Sequence, residues 1–102
     1  IQKIMALKKK FLKSKPICKV SFQVPGPMAA KAKKVELVGS FNNWEPIAMR
    51  KVKDGFTRTV DLETGAAHEF RYCVNGQEWL NDTEADAYVP NSFSTENSVV
   101  QL

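Results

Sequence analysis

From Ile17 to Val24 the side chains alternate: Cys18, Val20, Phe22 and Val24 are apolar, and Lys19, Ser21 and Gln23 between them are polar. A period of two is the signature of a strand with one buried face, and no helix can bury such a pattern. Pro25-Gly26-Pro27 ends the run, and the period then returns in short pieces separated by turn signals. Val35 and Leu37 face one way within 34–40. Segments 47–53 and 56–62 flank Asp54-Gly55, a strong hairpin signal. His68, Phe70, Tyr72 and Val74 alternate with Glu69, Arg71 and Cys73 up to Asn75-Gly76, followed by a short strand bearing Trp79. A polar loop is expected over 81–94, then a last strand over 97–102. About seven short strands with closely spaced turns and no helix in the body predict an all-β sandwich.

The first fifteen residues obey a different rule. Ile1, Ile4, Leu7 and Phe11 recur at helical spacing with lysines in the gaps, and Pro16 closes the segment. Two readings stand, a short amphipathic helix or a flexible basic arm, so the chain divides into an arm over 1–15 and a sandwich over 16–102. Charge follows the same division. Residues 1–53 hold thirteen Lys or Arg against Glu36 and Glu45, whereas 54–102 hold Arg58 and Arg71 against nine acids; the net charge is +4. Lys8, Lys9, Lys10, Lys13 and Lys15 crowd the arm, which suits either an anionic partner or a solvated tail, the plainer reading. Nucleic-acid binding would interleave basic residues with stacking aromatics across the body, which here is acidic. No run approaches the roughly 18 apolar residues of a membrane span. The lysines interrupting the early residues leave no secretory h-region, so a cytoplasmic location is expected. Cys18 and Cys73 then read as free thiols in strands rather than a disulfide.

Catalytic constellations are missing. His68, in phase with Phe70 and Tyr72, reads as a core-edge residue. One His and two separated Cys build neither a zinc site nor a nucleophilic triad. Asp82, Glu84 and Asp86 alternate like a calcium loop but lack its mid-loop glycine and closing glutamate, so a solvated loop is expected, with no metal and no cofactor. The carboxylates show no sign of the enclosed pair a glycosidase needs. What stands out is aromatic: Leu37-Val38-Gly39-Ser40-Phe41-Asn42-Asn43-Trp44 runs a strand into a polar turn ending on Trp, and Trp79 follows the Asn75-Gly76 turn. Turns lie on the surface. Two indoles delivered by two loops suggest a platform for a flat, hydroxyl-rich ligand, and carbohydrate fits best.

These segments resemble a known family. Leu37 to Trp44, then Phe70-Arg71-Tyr72-Cys73-Val74-Asn75-Gly76, then Trp79, then Asn91-Ser92-Phe93-Ser94-Thr95-Glu96-Asn97-Ser98-Val99-Val100 occur in the order seen in family-48 carbohydrate-binding modules. That group includes the glycogen-binding domain of the AMP-activated protein kinase beta subunit and the early-set domains of isoamylases and branching enzymes. Residues 81–93 look most like its small free-standing bacterial versions. The resemblance implies an immunoglobulin-like, early-set β-sandwich that binds α-glucans (glycogen, starch, maltooligosaccharides) without catalysis. It further implies that Trp44 and Trp79 stack on sugar rings, that Arg71 hydrogen-bonds hydroxyls, that Phe93 packs into the turn of a curved glucan, and that Thr95 and Asn97 add polar contacts. A glycogen-metabolism enzyme or another protein is a further partner it allows. The alternative is a sandwich that keeps the fold and serves as a protein-interaction module, its basic arm on an acidic partner.

Two departures bear on the site. Gln77-Glu78 places one residue more between the turn and Trp79 than the kinase-subunit form has. A one-residue slip on a regular strand sends a side chain to the other face unless a bulge absorbs it. Ser94 stands where the family often has Gly.

Overall fold

The computed structural model describes residues 7–29 and 32–102. These form ten strands: β1 Lys8–Phe11, β2 Ile17–Pro25, β3 Val35–Gly39, β4 Ile47–Ala48, β5 Arg50–Val52, β6 Gly55–Glu63, β7 Ala67–Val74, β8 Glu78–Leu80, β9 Ala87–Pro90 and β10 Glu96–Gln101. One sheet runs β1-β2-β6-β5; the other runs β4-β3-β7-β10-β9, with β8 also on β7. All pairings are antiparallel. The molecule is a β-sandwich, as the alternation predicts, and it is immunoglobulin-like, as the resemblance implies.

The predicted inward residues are the core. Cys18, Val20, Phe22 and Val24 of β2 meet Phe70, Tyr72 and Val74 of β7, with Val35 and Leu37 of β3 alongside. The rings of Phe22 and Phe70 meet edge to face at 4.9 Å, and those of Phe70 and Tyr72 at 5.6 Å. Cys18 and Cys73 are buried free thiols in opposite sheets.

Three expectations need correction. The strand expected over 47–53 is two strands, one in each sheet. Met49 buries its side chain between them and donates its N–H to the Val35 carbonyl (2.9 Å), so the chain changes sheets there. The polar loop over 81–94 contains β9, which pairs with β10. Within it Asp82, expected in solvent, is 0% exposed. Splitting 47–53 and adding β1 and β9 raises the strand number above seven. Finally, the helical reading of the arm fails over Lys8–Phe11, which pairs with β2. So short a helix is marginal in water, whereas the edge of β2 offers its backbone ready partners. Ile1 and Ile4, which carried the helical spacing, lie outside the described residues. No described helix is long and apolar enough to cross a membrane.

Candidate functional site: an aromatic groove on the outer face of one sheet

Strand β7 positions the site. β3 lies along one side of it, while β10 and β8 share the other, opposite its first and second halves. Because Phe70, Tyr72 and Val74 point inward, Glu69, Arg71 and Cys73 point outward. Register adds their neighbours: Val38 stands opposite Arg71, Trp79 opposite Cys73, and Val99 opposite Glu69, which puts Asn97 on the same face.

The turn after β3 brings Trp44 over this face. Its N–H donates to the Gly39 carbonyl (2.9 Å), and Asn42 Nδ2 donates to the Glu45 carbonyl (2.9 Å). Asn43 and Trp44 both adopt left-handed backbone, at φ 62° and 63°. Asn tolerates that region; a tryptophan is held there against a steric penalty. The Phe41 ring folds back against Gly39, where an added Cβ would collide with Phe41 Cε2. The Trp44 side chain is 40% exposed.

Trp79 reaches the same face through its turn. Asn75 and Gly76 have φ of 53° and 71°, the Gln77 N–H donates to the Val74 carbonyl (3.0 Å), and Val74 then pairs with Glu78. Gln77 is thereby absorbed into the loop. Pairing Val74 with Gln77 instead would set Trp79 opposite inward-facing Tyr72. The indole is 50% exposed, and the Arg71 guanidinium carbon lies 5.5 Å from its ring centroid, a cation–π contact. Arg71 Nη1 also donates to Thr95 Oγ1 at 3.4 Å, and Arg71 Nε is buried without a partner.

Asn91 organises the last loop. Its N–H donates to the Thr95 carbonyl (3.0 Å), its Oδ1 accepts the Phe93 N–H (2.9 Å), and its Nδ2 donates to Thr95 Oγ1 (2.8 Å) and Asn97 Oδ1 (3.0 Å). Asn97 Nδ2 in turn donates to Glu69 Oε1 (3.0 Å), which fixes its amide. Phe93 stands 82% exposed at the tip, and Ser94 after it is left-handed at φ 63°, the conformation that favours glycine there. Asn81 Nδ2 donates to the Glu96 carbonyl (2.8 Å), tying the end of β8 to the start of β10.

Beneath this tie lies a polar knot. Tyr72 OH donates to Asp82 Oδ2 (2.8 Å), the Glu84 N–H to Asp82 Oδ1 (2.8 Å), and the Asp82 N–H to Ser98 Oγ (2.9 Å). Burial raises the Asp82 pKa, although the hydrogen bonds from Glu84 and Tyr72 oppose it. Burial, then the Asp82 charge, pushes the Tyr72 hydroxyl well above its ordinary value. Burial and the Glu36 carboxylate raise Cys73 beneath Trp79, an inert thiol.

Trp44, Arg71, Trp79, Phe93, Thr95 and Asn97 all line one groove of about 810 Å³, with Val38, Asn91 and Ser92. Sequence reasoning missed Asn91; its signal is an Asx turn, Asn followed by Ser-Phe with a Thr to cap. Glu69 and Asp82 gave none, since their roles depend on register and burial. Among the described residues no carboxylate lines the groove, and no group of His, Cys, Asp or Glu is placed to hold a metal ion.

Residues 28–101 match the protein family described as the glycogen recognition site of AMP-activated protein kinase. The chain belongs to that family. Its relatives include the 5'-AMP-activated protein kinase subunit beta-1 of Rattus norvegicus, 33% identical over 70 residues, which are 69% of this chain and 25% of that protein. The Bos taurus subunit is 34% identical with the same coverage, and the Sus scrofa sequence is 33% identical with 55% of its length covered. The chain thus spans a quarter to about half of these relatives. The glycogen-recognition fold also superposes on a solved structure of the enterobactin esterase FES from Shigella flexneri. The TM-score is 0.74 at 10% identity, over 94% of this chain and 32% of that one, a likeness of fold alone.

Proposed function

We propose that this glycogen-recognition domain binds α-glucans (glycogen, starch and maltooligosaccharides) without catalysis, in the groove that Trp44, Trp79 and Phe93 build. The observation that carries the reading is convergence: six residues from four separate segments of the sequence line one groove. A pyranose presents C–H groups on its faces and hydroxyls around its rim. Indole faces match the first, and Arg71, Asn91, Thr95 and Asn97 supply donors and acceptors for the second. A lining without carboxylates offers neither the acid nor the nucleophile of a glycosidase.

Two or three stacked rings at about 1–2 kcal/mol apiece, less ordering costs, give micromolar to millimolar affinity for one site. Retention on a glycogen particle then comes from many chain ends at once. Titration calorimetry with maltoheptaose, beside circular dichroism on the same samples, tests the reading. Wild type should bind, and Trp44→Ala should fold and lose most of the heat. A folded Trp44→Ala protein that binds as wild type would sink the platform.

A further inference from the structure

Among the described residues no strand pairs with the outer edge of β1, which is a backbone template with a defined sign of charge. Pairing with β2 continues one step beyond the strand, where the Leu12 N–H donates to the Ile17 carbonyl (3.0 Å). Hydrogen-bonded and non-hydrogen-bonded pairs alternate in an antiparallel ladder. Lys10 with Lys19 and Lys8 with Ser21 therefore share the bonded phase of Leu12 with Ile17, and the backbone N–H and C=O groups of Lys9 and Phe11 point away from the sheet. No hydrogen bond covers those groups among the described residues.

The side chains around this edge fall into two sets. Lys8 and Lys10 stand on the outer sheet face, where Lys10 lies beside Lys19. Phe11 is on the other face and 54% exposed. Ion pairs join Lys9 to Asp86 (2.6 Å) and Lys19 to Asp61 (3.1 Å); none joins Lys8, Lys10, Lys13 or Lys15 among the described residues. A second copy is a poor occupant, because β1 against β1 brings lysine against lysine, the device that keeps sheet edges apart. An extended segment with acidic residues on one face and apolar ones on the other meets every feature: unpaired backbone, uncompensated lysines and a bare ring.

We infer that β1 takes an extended acidic peptide of a partner protein as an added strand, paired with Lys9 and Phe11. The edge belongs to the sheet opposite the groove, so peptide and glucan bind together.

The probe is a capped octapeptide of alternating valine and glutamate, fluorescein-labelled, titrated by anisotropy at low salt against a valine–lysine control. The glutamate peptide should bind and the lysine peptide should not. Lys8→Glu with Lys10→Glu should weaken binding by on the order of ten-fold. Phe11→Pro removes only an outward N–H, as edge strands tolerate. It should bind severalfold more weakly than Phe11→Ala, with circular dichroism unchanged in both. If Phe11→Pro and Phe11→Ala bind equally, the contact is charge alone and the added strand is wrong. If the Phe11→Pro chain misfolds, a glutamate peptide N-methylated at alternate residues reads the same backbone bonds, and binding equal to the unmethylated peptide overturns the proposal. No binding of the glutamate peptide, or binding only to phosphatidylserine vesicles, also overturns it, leaving the lysines as guards of the edge or a membrane contact.

Discussion

Trp44 occupies backbone space that bulky residues adopt only when the surrounding structure holds them there. The Gly39–Trp44 hydrogen bond and the ring packing of Phe41 do the holding, and the outcome is an indole presented to solvent. Strain kept at a residue proposed to face the glucan predicts a divergence between stability and binding. Trp44→Gly should fold with a melting temperature equal to or above wild type, while maltoheptaose binding falls away in calorimetry. Ser94, at φ 63°, carries the same backbone penalty without an exposed ring. Ser94→Gly should therefore stabilise by about 0.5–1 kcal/mol, minus the freedom glycine gains in the unfolded chain, measured in urea. A fall in stability would show that the Ser94 backbone is not under strain.

At the scale of elements, β8 is placed by its turn. The Gln77 N–H closes the Asn75-Gly76 turn on the Val74 carbonyl and Gln77 is then bypassed, so Val74 pairs with Glu78 and Trp79 stays on the Arg71 face. Deleting Gln77 lets Glu78 close a two-residue Asn75-Gly76 hairpin opposite Val74, which leaves Trp79 opposite Cys73. The variant should keep maltoheptaose affinity and melting temperature near wild type, and Trp79 emission, read in a Trp44→Phe background, should not move. A blue shift with loss of affinity would mean that the register had slipped. The knot beneath β8 makes a second case. Asp82→Ala leaves the buried Tyr72 hydroxyl without its acceptor and should cost about 1–3 kcal/mol in denaturant unfolding. Asp82→Asn, which keeps an acceptor, should cost less.

Over the whole molecule, two carboxylates couple stability to pH with opposite signs. Asp86 Oδ2 accepts from Lys9 Nζ (2.6 Å) and from the Gln101 N–H (2.7 Å), fastening β1 of one sheet to the edge of the other. Partial burial raises the Asp86 pKa, but these two partners outweigh it and the net shift is downward. A depressed folded pKa gives stability that is fully present above the unfolded value, about 3.9, and lost as pH falls through the folded one. The stability gap between wild type and Asp86→Asn should accordingly be widest above about pH 4 and close in acid. Asp82 runs the other way. Its folded pKa is raised, so the folded state holds its proton more tightly and stability falls as pH rises through that value. In Asp82→Asn this decline should vanish from urea midpoints taken across the acid range. If both variants track wild type at every pH, the two carboxyls are not linked to folding.

The sequence by itself determined the layers of this protein and the chemistry of its groove. Alternation at Cys18–Val24 and at Phe70–Val74 settles which faces are buried, because side-chain direction in a strand is local geometry. The Asn-Asn-Trp turn likewise announces an exposed indole, whereas Arg71, Phe93, Thr95 and Asn97 came only with the resemblance to the family-48 modules. Tertiary structure decided what depends on partners distant in the chain. Whether Trp79 joined Arg71 rested on loop registry, and Asp82 went from an apparent solvent loop to the core because Tyr72 and Ser98 wait beneath it. Met49 carried the chain between sheets, and Lys8–Phe11, part of a segment with apolar residues at helical spacing, became an edge strand. Each of these turns on an unpaired backbone or buried polar group finding its partner many residues away, and such pairing leaves no periodic trace in the sequence.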